Sequence, residues 1–148
     1  MTDTAAALTA LKGSKLFSGV SDATLERIAA IAQRRRFEEG DDIYTLGDEA
    51  AEMYLIETGR VRFSLGVGNR ASAAGSVMTP GAAFGWAALL GEAPRRVATA
   101  TCLDDTTVFS IPGRDLLALL EQDTKSGFTM MRRLADMISR DLMSVLTT

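Results

Sequence analysis

The spacing of apolar positions changes twice along the chain, and each change predicts a different architecture. Between residues 22 and 33, Leu25, Ile28, Ala29 and Ala32 recur at helical spacing, and Ser21 stands where a helix N-cap is wanted. The segments Leu8-Thr9-Ala10-Leu11 and Leu16-Phe17 read as a short amphipathic lead-in to that helix. From residue 34 the pattern shortens to β-type runs at 34–38, 42–46, 52–57, 60–65, 76–79, 97–103 and 106–111. Gly40-Asp41, Gly47-Asp48 and Thr58-Gly59 break these runs with turn chemistry, and the Gly-, Ala-, Ser- and Asn-rich stretch 66–75 reads as a flexible hairpin tip. Helical spacing then returns. Residues 112–120 predict a short helix opening near Pro112 and ending before Asp123-Thr124. Beyond it Phe128, Met131, Ala135, Ile138, Leu142 and Val145 form one apolar seam, and Met130, Leu134 and Met137 form a neighbouring stripe. One stripe can rest on the protein's own strands. The other calls for a partner, and a homodimer through this helix is the expectation.

Many short strands with glycine turns predict an α+β fold built on a barrel or sandwich. The expected organisation is one domain over 1–148: N-terminal helices to residue 33, a β-barrel over 34–111, and C-terminal helices over 112–148. A chain of 148 residues is long enough to bury a core without staples. Composition narrows the function classes. A net charge of −3 lacks the basic excess of a general nucleic-acid binder. No histidine is present, which excludes histidine-activated nucleophiles and histidine-held metals, and one cysteine cannot hold an iron–sulfur cluster or form an intrachain disulfide. Cys102 reads as a small buried apolar residue. No apolar run is long enough for a membrane span and the N-terminus lacks a signal peptide's positive region, so a cytoplasmic, non-enzymatic protein without metal or cofactor is expected.

Candidate chemistry concentrates at 84–99. A small-residue turn, Phe84-Gly85, runs into the apolar segment Trp86-Ala87-Ala88-Leu89-Leu90, and Arg96 precedes the β-type run Val97-Ala98-Thr99. A helix start over 86–90 would aim unpaired N–H groups at an anion, and Arg96 would add forked, charge-assisted hydrogen bonds that a lysine cannot copy. The backbone N–H of Val97 or Ala98 would complete the cradle. Arg95 reads as a solvated surface charge and Glu92 as part of a surface turn.

This segment resembles the phosphate-binding cassette of the cyclic nucleotide-binding domain family, with Arg96-Val97-Ala98-Thr99 matching its Arg-x-Ala-Thr pattern. The glycine corners of Glu39-Gly40-Asp41-Asp42-Ile43, Gly47-Asp48 and 53–61 are similar to the first half of that family's barrel, and Pro80-Gly81-Ala82-Ala83 to the approach to the cassette. The resemblance implies a jelly-roll barrel (a double-stranded β-helix) with N-terminal helices and a long C-terminal helix that dimerises and closes over the ligand. It implies cAMP or cGMP as ligand, held by Gly85, Trp86, Ala87, Ala88, Arg96, Val97 and Ala98, with Ser144 or Arg140 reaching it from the C-terminal helix. The family typically has a glutamate after Phe-Gly that accepts from the ribose 2′-hydroxyl; Trp86 stands there, and indole only donates. Three readings stay open: Trp86 plugs the pocket of a dimeric interaction module, it stacks on or selects a different ligand carrying phosphate or another anion, or cyclic nucleotide binding is retained with weaker affinity. Relatives that regulate transcription continue past the long helix into a helix-turn-helix. This chain reaches Thr148 a few residues after the helix, and Arg34-Arg35-Arg36 and Arg132-Arg133 are short clusters, so direct DNA binding is not expected. The expected role is a regulatory sensor signalling to a protein partner that the sequence does not identify.

Overall fold

The computed structural model describes residues 2–66 and 72–146. Part of the expected hairpin tip, 67–71, lies outside the described residues; the strand that follows starts at Ser72, so 72–75 belong to it rather than to a tip. Helix α1 (Asp3–Lys12) opens at Thr2, whose hydroxyl accepts from the Ala5 N–H. Helix α2 (Asp22–Ile31) opens at Ser21 as its side chain predicts, accepting from the Thr24 N–H. It stops two residues earlier than the apolar spacing suggests, because Ala32 is already extended and Gln33 begins the first strand.

Among the described residues eight strands follow: β1 (Gln33–Phe37), β2 (Asp42–Tyr44), β3 (Glu52–Thr58), β4 (Val61–Leu65), β5 (Ser72–Met78), β6 (Ala83–Phe84), β7 (Thr99–Cys102) and β8 (Thr106–Pro112). They make two four-stranded antiparallel sheets, in the orders β1-β8-β3-β6 and β2-β7-β4-β5. Helices α3 (Gly113–Gln122) and α4 (Thr124–Leu146) close the chain. This is the jelly-roll barrel with N-terminal helices and a long C-terminal helix that the sequence predicts. Among the described residues no helix is long and apolar enough to cross a membrane.

The run Met53-Tyr54-Leu55-Ile56 is continuous in apolar character because β3 is buried on both faces. Met53 and Leu55, with Phe109 and Ile111 of β8, pack under the helices against Ile28, Leu116, Met130 and Leu134. Tyr54 and Ile56 face the barrel interior with Val61, Phe84, Ala100 and Val108. Cys102 is buried as expected, and burial pushes its thiol pKa up. The β3–β4 corner turns on Gly59, at φ +96°.

One network joins the two ends of the helical layer. Ser21 caps α2 and donates to Asp123 Oδ2 at 2.8 Å, the Thr24 hydroxyl donates to the same oxygen at 2.7 Å, and Asp123 Oδ1 accepts from the Ser126 N–H. The Ser126 hydroxyl in turn accepts from the Ser21 N–H at 2.9 Å. Asp123 thus caps α4 while binding the cap of α2. The Ser126, Thr24 and Ser21 hydrogen bonds hold its carboxyl well below the ordinary carboxylate range. A depressed folded-state pKa contributes stability that is complete above the unfolded value of about 3.9 and is lost as pH falls from there toward the folded value. Asp123→Asn is therefore expected to lower the melting temperature at pH 7, with the gap to wild type narrowing below about pH 4. Thermal melts of both proteins from pH 7 to 2 check this, and a gap independent of pH would sink it.

Candidate ligand site

The segment between β6 and β7 crosses one end of the barrel. Phe84 ends β6, paired with Tyr54 of β3. Gly85 then reverses the chain at φ +81°. A Cβ there would lie 3.1 Å from Arg96 Nη1, 3.1 Å from Tyr54 Cδ2 and 3.2 Å from the Glu52 carbonyl oxygen, so both the backbone angle and the close approach require glycine. Trp86–Leu89 is a single 3₁₀ turn rather than the expected helix over 86–90. Leu90 is already extended and Gly91 has φ +74°, which ends it. Four residues carry little of the dipole expected of a longer helix. Any anion held here depends chiefly on Arg96.

Arg96 is 4% exposed. Its Nη1 donates to the Gly85 carbonyl at 3.0 Å and its Nη2 to the Glu52 carbonyl at 2.6 Å. The second bond follows from the short length of β6. The register that sets Tyr54 opposite Phe84 would bring residue 86 opposite Glu52, but the chain has already left the strand, and the guanidinium takes the vacant place. The guanidinium carbon stands 4.1 Å from the Tyr44 ring centroid and 5.6 Å from that of Tyr54. Tyr54 and Phe84 stack at 5.2 Å, and Phe63 meets the Phe84 edge at 5.7 Å. Sequence reasoning placed Phe84 in the cassette but did not single out Tyr44, Tyr54 and Phe63 as its neighbours. Tyr44, Tyr54, Phe63 and Phe84 occupy four different strands, and only the barrel brings them together. Burial pushes the Tyr44 phenol pKa up, against the lowering effect of the Arg96 charge. Among the described residues no carboxylate lies within ion-pair distance of Arg96, and its buried Nε has no hydrogen-bond partner.

Arg96 lines a cavity of about 950 Å³ between the barrel end and α4. Gly85, Trp86, Ala87, Val97 and Ala98 share that wall, so six of the eight expected site residues come together. Ala88 does not. It lies against the start of α3, where a Cβ at Gly113 would meet its carbonyl oxygen at 2.5 Å. At three residues per turn, successive side chains of the 3₁₀ turn point about 120° apart, so Trp86 and Ala87 border the cavity while Ala88 turns away from it. Ser144 is not on the wall either; its hydroxyl stands 3.7 Å from where a Gly75 Cβ would be. Arg140 of α4 does line the cavity, although it also pairs with Asp136 at 2.7 Å. Arg95 is exposed as expected. Trp86 borders open volume rather than filling it, and its indole N–H donates to Asp141 Oδ2 on α4 at 3.3 Å.

The family model described as cyclic nucleotide-binding domain matches residues 34–123. The cyclic AMP receptor protein of Thermus thermophilus is 33% identical over 115 residues, which make up 76% of this chain and 51% of that protein. The chain thus spans about half the length of that relative. The crystal structure of Thermus thermophilus catabolite activator protein superposes with a TM-score of 0.72 and 28% identity, covering 85% of this chain and 59% of that one. The sensor domain of the transcriptional regulator DNR from Pseudomonas aeruginosa shares the fold, with a TM-score of 0.80 at 18% identity over 96% and 95% of the two chains. With the match running through both sheets and α3, the chain belongs to the cyclic nucleotide-binding domain family.

Proposed function

We propose that the chain is a regulatory domain that binds cAMP or cGMP in the cavity beneath α4 and reports occupancy through that helix. One observation carries the reading: a guanidinium almost wholly out of water, with no carboxylate at ion-pair distance and no partner for its Nε among the described residues, in the wall of a ligand-sized cavity. Burying a charge without a counter-charge is costly, and a phosphodiester would supply it. The amides of Trp86 and Ala87 precede the first hydrogen bond of the 3₁₀ turn and would add donors at the same end of the cavity. The family and the name of the Thermus receptor protein support a cyclic nucleotide as the anion.

Trp86 is the chain's single tryptophan and stands in the cavity wall. Titration with cAMP or cGMP is therefore expected to change intrinsic fluorescence in step with calorimetric heat. No heat and no fluorescence change with cAMP, cGMP or cyclic dinucleotides would overturn the reading.

The stripe of Met130, Leu134 and Met137 packs on the protein itself; in the other stripe Met131 and Ile138 also pack against the core, whereas Phe128 and Leu142 are 67% and 57% exposed. Those two exposed positions support a second element of the reading, pairing of two copies along α4. Sedimentation of wild type and Phe128→Glu tests it; equal mass for both would sink it.

A further inference from the structure

The inward stripe of α4 ends on an acid. Met130 and Leu134 are buried, Met137 is partly buried, and the next position on the same face, where the spacing asks for an apolar residue, is Asp141. Asp141 is half-buried and lines the same cavity as Arg96, yet the two do not form an ion pair. Asp141 accepts from the Trp86 indole at 3.3 Å and Arg96 donates to the carbonyl of the adjacent Gly85 at 3.0 Å, which sets the two charges at the same end of the cavity. Among the described residues no cation stands within ion-pair distance of Asp141, and its hydrogen-bond partner is the Trp86 indole N–H at Oδ2. Burial pushes the Asp141 carboxyl pKa up, with the Trp86 hydrogen bond opposing that rise.

A carboxylate offers about four acceptor sites, and one neutral N–H leaves most of them empty. A ligand that was only an anion would meet Arg96 favourably and be repelled by Asp141. A ligand carrying an anion and a nearby N–H or O–H donor would satisfy both. We propose that Asp141 is a specificity-determining residue: with Oδ2 held by Trp86, its carboxylate accepts a hydrogen bond from a donor on the same ligand whose phosphate lies on Arg96. This rests on the cyclic nucleotide reading. Such ligands carry two donors of the required kind, the ribose 2′-hydroxyl and the N–H groups of the base.

Asp141→Asn separates this role from simple electrostatics. Asparagine keeps the size of the side chain and can still accept from the indole through its amide oxygen. If Asp141 were only a bystander charge, removing it from a site that binds an anion would tighten binding. The proposal expects the reverse, a loss of roughly 10- to 100-fold in affinity, in the range of a hydrogen bond to a charged group. Calorimetric titrations of both proteins with cAMP, cGMP and 2′-deoxy-cAMP give the answer. A penalty that disappears with 2′-deoxy-cAMP assigns the donor to the ribose; one that persists there and differs between cAMP and cGMP assigns it to the base. Either result supports the proposal. Binding as tight as wild type or tighter, or a uniform penalty reproduced by Trp86→Phe, overturns it while leaving the cyclic nucleotide reading intact. Failure of the wild type to bind any of the three overturns both.

Discussion

Exchange of Arg96 for alanine is expected to weaken cyclic nucleotide binding by about two orders of magnitude or more, the cost of removing one partner of a desolvated charge pair. The folded protein should tolerate the change far better than its 4% exposure suggests. Among the described residues the guanidinium has no counter-charge and its Nε is unpartnered, so its removal relieves a desolvation cost. Against this stands the loss of donors to the Gly85 and Glu52 carbonyls. These effects oppose one another, and Arg96→Met, which keeps much of the aliphatic volume against Tyr44, should melt within a few degrees of wild type while binding no nucleotide. Arg96→Lys keeps the charge but loses the planar fork and is expected to recover only part of the affinity. Calorimetry and thermal melts on the three variants test the account. It fails if Arg96→Ala binds as wild type does, or if Arg96→Met unfolds the domain.

Gly59→Ala is expected to have the opposite profile, a large loss of stability far from the cavity. At φ +96° an alanine would be strained, and its Cβ would run into the Thr106 hydroxyl and stand 2.7 Å from both the Asp105 carbonyl oxygen and the Thr106 Cα. Two of these three atoms are backbone, and Thr106 is itself buried, so neither strand end can yield cheaply. Strain at a left-handed position and overpacking together are expected to cost about 2–5 kcal/mol. A urea titration would show the midpoint falling with an unchanged slope. An unaltered midpoint would mean that the β3–β4 corner can open without disturbing the β8 end it touches.

These two positions differ in how far the sequence could reveal them. Thr58-Gly59 announces a corner because turn chemistry is local, and Ser21 announces a helix start for the same reason. The cassette was legible because Phe84-Gly85 and Arg96-Val97-Ala98-Thr99 lie close together in the chain. Strand β6 was not, since two residues are too few to show alternation. The expected helix over 86–90 failed on Gly91, whose left-handed backbone stops the turn. Asp141 escaped notice because its partner is Trp86, 55 positions away, and nothing in the local pattern links them. The two-stripe character of α4 was visible, but spacing alone could not say which stripe faces inward. The barrel decides that, by presenting Leu89 and Ile111 to Met130 and Leu134.

The caps that tie Ser21, Asp123 and Ser126 together also anchor the start of α4. The fully buried positions of α4 are Ser126, Gly127, Met130 and Leu134, all in its first half. At 1.5 Å per residue, Asp141 stands about 10 Å beyond Leu134, the last of these positions. A bend of about 10° just past Leu134 would therefore carry Asp141 roughly 2 Å. That is enough travel to part it from an indole 3.3 Å away. The buried first half of α4 is the anchor and its second half the arm that passes the ligand cavity, so an adjustment at Asp141 would be carried on to the exposed tip.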